Sequence, residues 1–150
     1  MFLQNIKVEK SKLIEQTFHF WFNDNNHLRS PFPNYIHNEL RELAVIKFTK
    51  WIKNLKSEAE KEINDEIVGE KFEEIIFETA IPLVKTEDEK ITIHYPFLPR
   101  INDPINNHNN ESSVIVDRMI AKNGDTKYLK VILETLKDKR KWETKFELPL

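Results

Sequence analysis

One stretch, Asn34 to Lys61, constrains this chain more than any other, because it carries the longest uninterrupted helical period. At about 100° per residue, Leu40, Ala44, Phe48, Trp51, Ile52, Leu55 and Ala59 fall on one stripe. Glu39, Glu42, Lys47, Lys50, Lys53 and Asn54 fall on the opposite side. Phe48 and Trp51 are large enough to anchor a core from this stripe. Asn34, after Pro33, reads as the N-cap; the early glutamates and the later lysines suit the helix dipole.

A chain of 150 residues is the size of one ordinary domain, so residues 1–150 are expected to fold as a single unit. That length buries roughly two-thirds of the unfolded surface, enough for a core without covalent staples. There are no cysteines, which excludes disulfides, thiolate metal sites and cysteine nucleophiles. The opening MFLQNIKVEK has no apolar run of signal-peptide length, and no segment is long and apolar enough to span a bilayer. The expected address is cytoplasmic, with no membrane partner.

The formal net charge of −2 is unevenly spread. Residues 1–56 carry nine basic and five acidic side chains, residues 57–90 four and twelve, and residues 121–150 eight and five. The acidic middle suits a basic partner. The basic flanks are too mild to argue for nucleic acid.

Phe2–Val8 reads as a short strand. Lys12–Phe22 fits either period, and the dense run Phe18-His19-Phe20-Trp21-Phe22 favours a strand. Asn64 and Asp65 cap a second helix over Glu66–Glu74, with Gly69 a weak point. Ile75–Leu83 and Ile91–Phe97 alternate as a hairpin across a charged turn at Thr86–Glu89, with Pro82 marking an edge. Leu98–Ser112 is a long asparagine-rich connection, expected to be mobile. Val114–Lys122 and the return strand Thr126–Leu136 flank Asn123-Gly124, a type I′ turn signal. On that turn Val116 faces Val131, and Arg118 shares a face with Val114, Val116 and Ile120. A last strand carries Trp142, Thr144, Phe146 and Leu148 on a dry face, opposite Lys141, Glu143, Lys145 and Glu147. The expected architecture is α+β, a long amphipathic helix packed on an antiparallel β-meander of about five strands.

Motifs for chemistry are sparse. Gly69 and Gly124 are too far apart for a phosphate loop, no serine sits in a nucleophile elbow, and no cofactor is expected. His19, His27, His37, His94 and His108 show no metal-ligand spacing. Asp103, Asn106, Asn107 and Asn109 offer oxygen ligands without the EF-hand spacing. Glu143-Thr144-Lys145 has the acid-x-lysine form of metal-dependent nuclease strands, with Asp125 or Asp117 as the second acid. The plainer reading is the charged outer face of the last strand.

His37 and Arg41 lie one turn apart on the stripe of the main helix, and with Arg118 could receive an anionic ligand bidentately at the mouth of a helix-and-sheet cone. Equally, each arginine can cover apolar surface and pair internally, Glu78 being a candidate acid. Ile36, Leu43 and Ile46 form an apolar patch that either an internal segment or a second copy could cover. The preferred reading is a non-catalytic module that binds another protein. The ligand-binding cone is the alternative and a nuclease the distant third.

Overall fold

The computed structural model describes residues 2–55 and 63–149, with side chains from residue 11 onward. The chain is α+β and divides into two compact units, residues 1–96 and 97–150. The first contains α1 (Phe2–Phe22), a 3-10 turn (Asn34–Ile36), α2 (His37–Lys53), α3 (Asp65–Ala80), a second 3-10 turn (Ile81–Leu83) and α4 (Glu87–His94). The second is an antiparallel meander of β1 (Pro104–Asn106), β2 (Ser112–Asn123), β3 (Thr126–Thr135) and β4 (Lys141–Glu147), in that order across a four-stranded sheet. No helix among the described residues is long and apolar enough to cross a membrane.

The main helix is shorter than its sequence pattern. Asn34 opens the 3-10 turn rather than capping α2, and α2 closes at Lys53 with Asn54 as its C-cap. Ala59 and Lys61 lie outside the described residues. Part of the stripe is as read: Leu40, Ala44 and Phe48 are fully buried and Ile52 nearly so, while Trp51 and Leu55 are half-buried. It is filled by helices of its own unit. Phe72 of α3 packs on Phe48 at 4.5 Å between ring centroids, and edge-on to Phe18 of α1 at 5.3 Å.

Phe2–Val8 and Lys12–Phe22 are therefore helix, not strand. A strand would place Ile14, Phe18, Phe20 and Phe22 on one face, yet Phe20 is 44% exposed while Thr17, Phe18 and Trp21 are buried. The 3.6-residue period wins because a helix lets Phe18 and Trp21 reach the core together; aromatic β-propensity is only a preference for a half-buried surface.

The expected hairpin at residues 75–97 is also helical. Phe72, Ile75, Ile76, Thr79 and Ala80 are buried at spacings of three and four. Runs of adjacent apolar residues satisfy both periods, and burial selects the helix. Asn64 caps α3 as expected, its side chain accepting from the Ile67 amide at 2.9 Å. Pro82 tightens the end into the 3-10 turn. Thr86-Glu87-Asp88-Glu89 is not a turn but a capping box: Thr86 Oγ1 accepts from the Glu89 amide, and the Glu89 carboxylate accepts from the Thr86 amide at 2.9 Å.

Two stability predictions follow from this unit. A Cβ at Gly69 would meet Leu13 Cδ1 at 3.8 Å, an ordinary contact within a helical backbone. Gly69→Ala should stabilise by about 0.5–1 kcal/mol through the unfolded chain's lost freedom. Urea unfolding checks this; a loss of stability would mean that α1 and α3 pack more closely there. Trp51 stacks on Phe48 but remains only half-buried. Trp51→Ala should cost about 1–2 kcal/mol, less than the ~3–5 of a fully buried aromatic. A loss above about 3 kcal/mol would place Trp51 in the core proper.

In the sheet, the β2–β3 turn differs from the asparagine-glycine expectation. Asn123 pairs with Thr126, so Gly124 and Asp125 are the turn residues. Gly124 has φ of 61°, and Asp125 is not among the positive-φ residues. That fits a type II′ turn, which needs positive φ only at its first central position. A β-bulge then interrupts β2 between Ile115 and Asp117. Val116 is the extra residue and does not face Val131; Arg118 does. The bulge moves Arg118 onto the face of Ile115, Leu129, Val131 and Leu133, all of them fully buried. On β4, Trp142, Thr144 and Phe146 are half-buried between exposed charged neighbours, as their alternation predicts.

Candidate functional site

The three residues proposed to hold an anion lie on two different units: His37 and Arg41 on α2, and Arg118 on β2. The His37 ring stacks on Phe22 at 4.1 Å, and its Nε2–H donates to the Phe32 carbonyl at 2.8 Å. A carbonyl can only accept, so this bond fixes the tautomer. The Arg41 guanidinium lies 4.6 Å from the Phe18 ring centroid, and its Nη1 donates to Glu15 Oε1 at 3.0 Å. The acid is thus Glu15 of α1, not Glu78. Both side chains are well exposed, so the pair contributes little, about 0–1 kcal/mol. Its stem and ring contact hold α1 against α2. Arg118 is only 4% exposed, and its Nη1 donates to the Pro99 carbonyl at 2.9 Å.

The proposed apolar patch is smaller than expected. Ile36 is 2% exposed and belongs to the core, which removes it from any surface. Leu43 is half-buried, and Ile46 is 62% exposed.

The connection Leu98–Ser112 holds more structure than its composition suggests. It contains β1, whose residues pair with Ser112–Val114 of β2. Asn102, at φ of 77°, donates its amide to the Ile115 carbonyl at 2.8 Å. The Asn107 side chain accepts from the amides of Asn109 and Glu111, both at 2.9 Å, and folds the tip into a tight turn. The asparagines are thus turn formers. Among the described residues no three acids or histidines cluster as a metal site.

Glu143 of the acid-x-lysine motif forms an ion pair with Lys130 at 3.1 Å, and Lys145 Nζ lies 4.7 Å from the Tyr128 ring centroid. Asp117, one of the two acids considered for sharing a metal, accepts the Arg118 amide at 2.8 Å.

Two carboxylates of the helical unit stand out, and neither was singled out from the sequence. Glu89 ties α4 to the first 3-10 turn: it accepts from Tyr35 Oη at 2.6 Å and from the amides of Lys85 and Thr86. Burial opposes its charge, but these hydrogen bonds outweigh it and hold its pKa below the usual glutamate range. All of these partners are internal, so Glu89 is structural. Glu73 on α3 is the reverse. Burial pushes its pKa up; the Trp21 indole N–H, which faces it without closing a regular hydrogen bond, offsets part of the rise, and neighbouring Glu70 adds to it.

Glu73 belongs to an acidic surface along α3. Asp65, Glu66, Glu70, Glu73, Glu74 and Glu78 are all exposed along α3. Lys71, paired with Glu74 at 3.4 Å, is the one basic residue of that helix. Phe72, Ile75, Ile76 and Ala80 of α3 face the core, and its carboxylates occupy the remaining, exposed positions. No protein-family model, curated protein or solved structure matches the chain.

Proposed function

We propose that the chain is a non-catalytic module that binds another protein of basic character through the outer face of α3. The observation that carries this reading is the exposure of six carboxylates against one lysine on a single helix. Like charges along a helix face are mutually destabilising; the pKa of Glu73 is raised chiefly by burial, and neighbouring Glu70 adds to the rise. A cationic segment laid along the face would remove that cost and gain charge complementarity, which speeds association and selects partners. The internal engagement of His37, Arg41 and Arg118 supports the same reading, because none of them needs a ligand to satisfy it.

The test is a titration with an arginine-rich peptide, followed by the carboxyl resonance of Glu73. Binding should draw its pKa back toward the ordinary glutamate value and shift amides along α3. The competing reading has an anion held by the arginines. It would be favoured if small carboxylates or phosphates raised the melting temperature and Arg41→Met abolished that rise while leaving the fold intact.

A further inference from the structure

We propose that the outer face of the β2–β3–β4 sheet carries a binding site for a small phosphorylated molecule, in the concavity where Lys130 and Lys145 meet beside Tyr128. The concavity has a volume of about 480 Å³, within the range of roughly 300–1,000 Å³ usual for small-molecule sites. Lys130 and Lys145 face it together with a single lining carboxylate, Glu143; Lys122 borders it from a strand position that alternates to the opposite face of the sheet. On this face the two ammonium groups outnumber the lining carboxylate by one.

The strand register makes this surplus costly. Lys130 of β3 stands directly opposite Lys145 of β4, and like charges in that position destabilise a sheet. Glu143 engages Lys130 at 3.1 Å, and Lys145 rests its ammonium on the Tyr128 ring. These contacts soften the repulsion without neutralising it. A phosphate ester supplies close to two negative charges at neutral pH, one for each of the two ammonium groups, and lysine binds phosphate as a point charge. Ala121 and Tyr128, which pair across β2 and β3 on this face, give the concavity an apolar side on which the organic part of the ester can lie. This explains why Glu143-Thr144-Lys145 reads as a chemical motif from sequence: its lysine belongs to an anion site rather than a metal site. The inference does not depend on the acidic face of α3, which has the opposite sign and lies in the other unit.

The probe is phenyl phosphate, titrated into the full chain and followed by the lysine ammonium and tyrosine ring resonances. Saturable shifts are expected at Lys130, Lys145 and Tyr128. Lys130→Gln and Lys145→Gln should each weaken binding about fivefold, the effect of losing one charge contact near a surface. Lys145→Arg should retain binding, and Lys137→Gln, outside the concavity, should leave it unchanged. Circular dichroism confirms that each variant is folded. The proposal is overturned if no saturable shift occurs, if Lys137→Gln weakens binding as much as Lys145→Gln, or if inorganic phosphate binds as tightly as phenyl phosphate. It is likewise overturned if a short oligothymidylate binds far more tightly, which would assign the lysines to a nucleic-acid backbone.

Discussion

Phe72→Ala is expected to cost about 3–5 kcal/mol, the lost transfer energy of a buried aromatic plus the cavity left behind. Phe72 is completely buried, and its ring touches Phe18 of α1 and Phe48 of α2. One side chain on α3 thus links three helices. Deleting it leaves Phe18 and Phe48 facing a void that neither can fill without leaving its rotamer. The loss should appear in urea unfolding followed by helical circular dichroism, as a lower midpoint with an unchanged slope. Phe72→Leu should recover most of the stability, costing about 1–2 kcal/mol. A loss below about 1 kcal/mol for the alanine variant would mean that the three helices do not share this centre.

Arg118→Met should destabilise the sheet unit by about 1–3 kcal/mol. Methionine keeps the apolar stem, so the change isolates the guanidinium. What it removes is the donor to the Pro99 carbonyl in a place where water has little access, since Arg118 is 4% exposed. A buried acceptor left without its donor bears most of its desolvation cost unrepaid. Unfolding followed by Trp142 fluorescence measures the loss. If Arg118→Met were neutral or stabilising, the charge would cost as much to bury as it returns. The arginine would then be better explained as held for a ligand, and the protein-binding reading would lose one of its supports.

These two residues also mark where sequence reasoning succeeds and where it stops. The stripe of α2 was legible because Leu40, Ala44, Phe48 and Ile52 are apolar while Glu42 and Lys50, which a strand would put on the same face, are charged. Asn64 as a cap, a tight hairpin turn at Gly124 (though one residue out of register) and the alternation of β4 were legible from local chemistry. Residues 12–22 and 75–97 were not read correctly, because adjacent apolar residues fit both periods and only the packing partners decide between them. Thr86 and Glu89 did carry a local signal, the spacing of a capping box, which outweighs a reading of that stretch as a charged turn. The bulge at Val116 left no comparable mark. It shifts every later residue of β2 to the other face, and so moves Arg118 from an expected ligand position to a buried one. The partner of Arg41 was equally hidden, since Glu15 lies on a helix that the sequence suggested was a strand.

The acidic surface was legible as composition but not as geometry. Twelve acidic residues between positions 57 and 90 announce a charge bias. Only the helical state of residues 65–80 lines six of them along one exposed helix.

The central claim is tested most directly by the affinity of an arginine-rich peptide for the wild-type chain and for the triple variant Glu66→Gln, Glu70→Gln, Glu74→Gln. These side chains are exposed, so the variant should fold normally. The account predicts saturable binding that weakens as salt is raised, and a further loss of about tenfold in the variant. Binding that is absent, or unchanged when these three charges are removed, would contradict it.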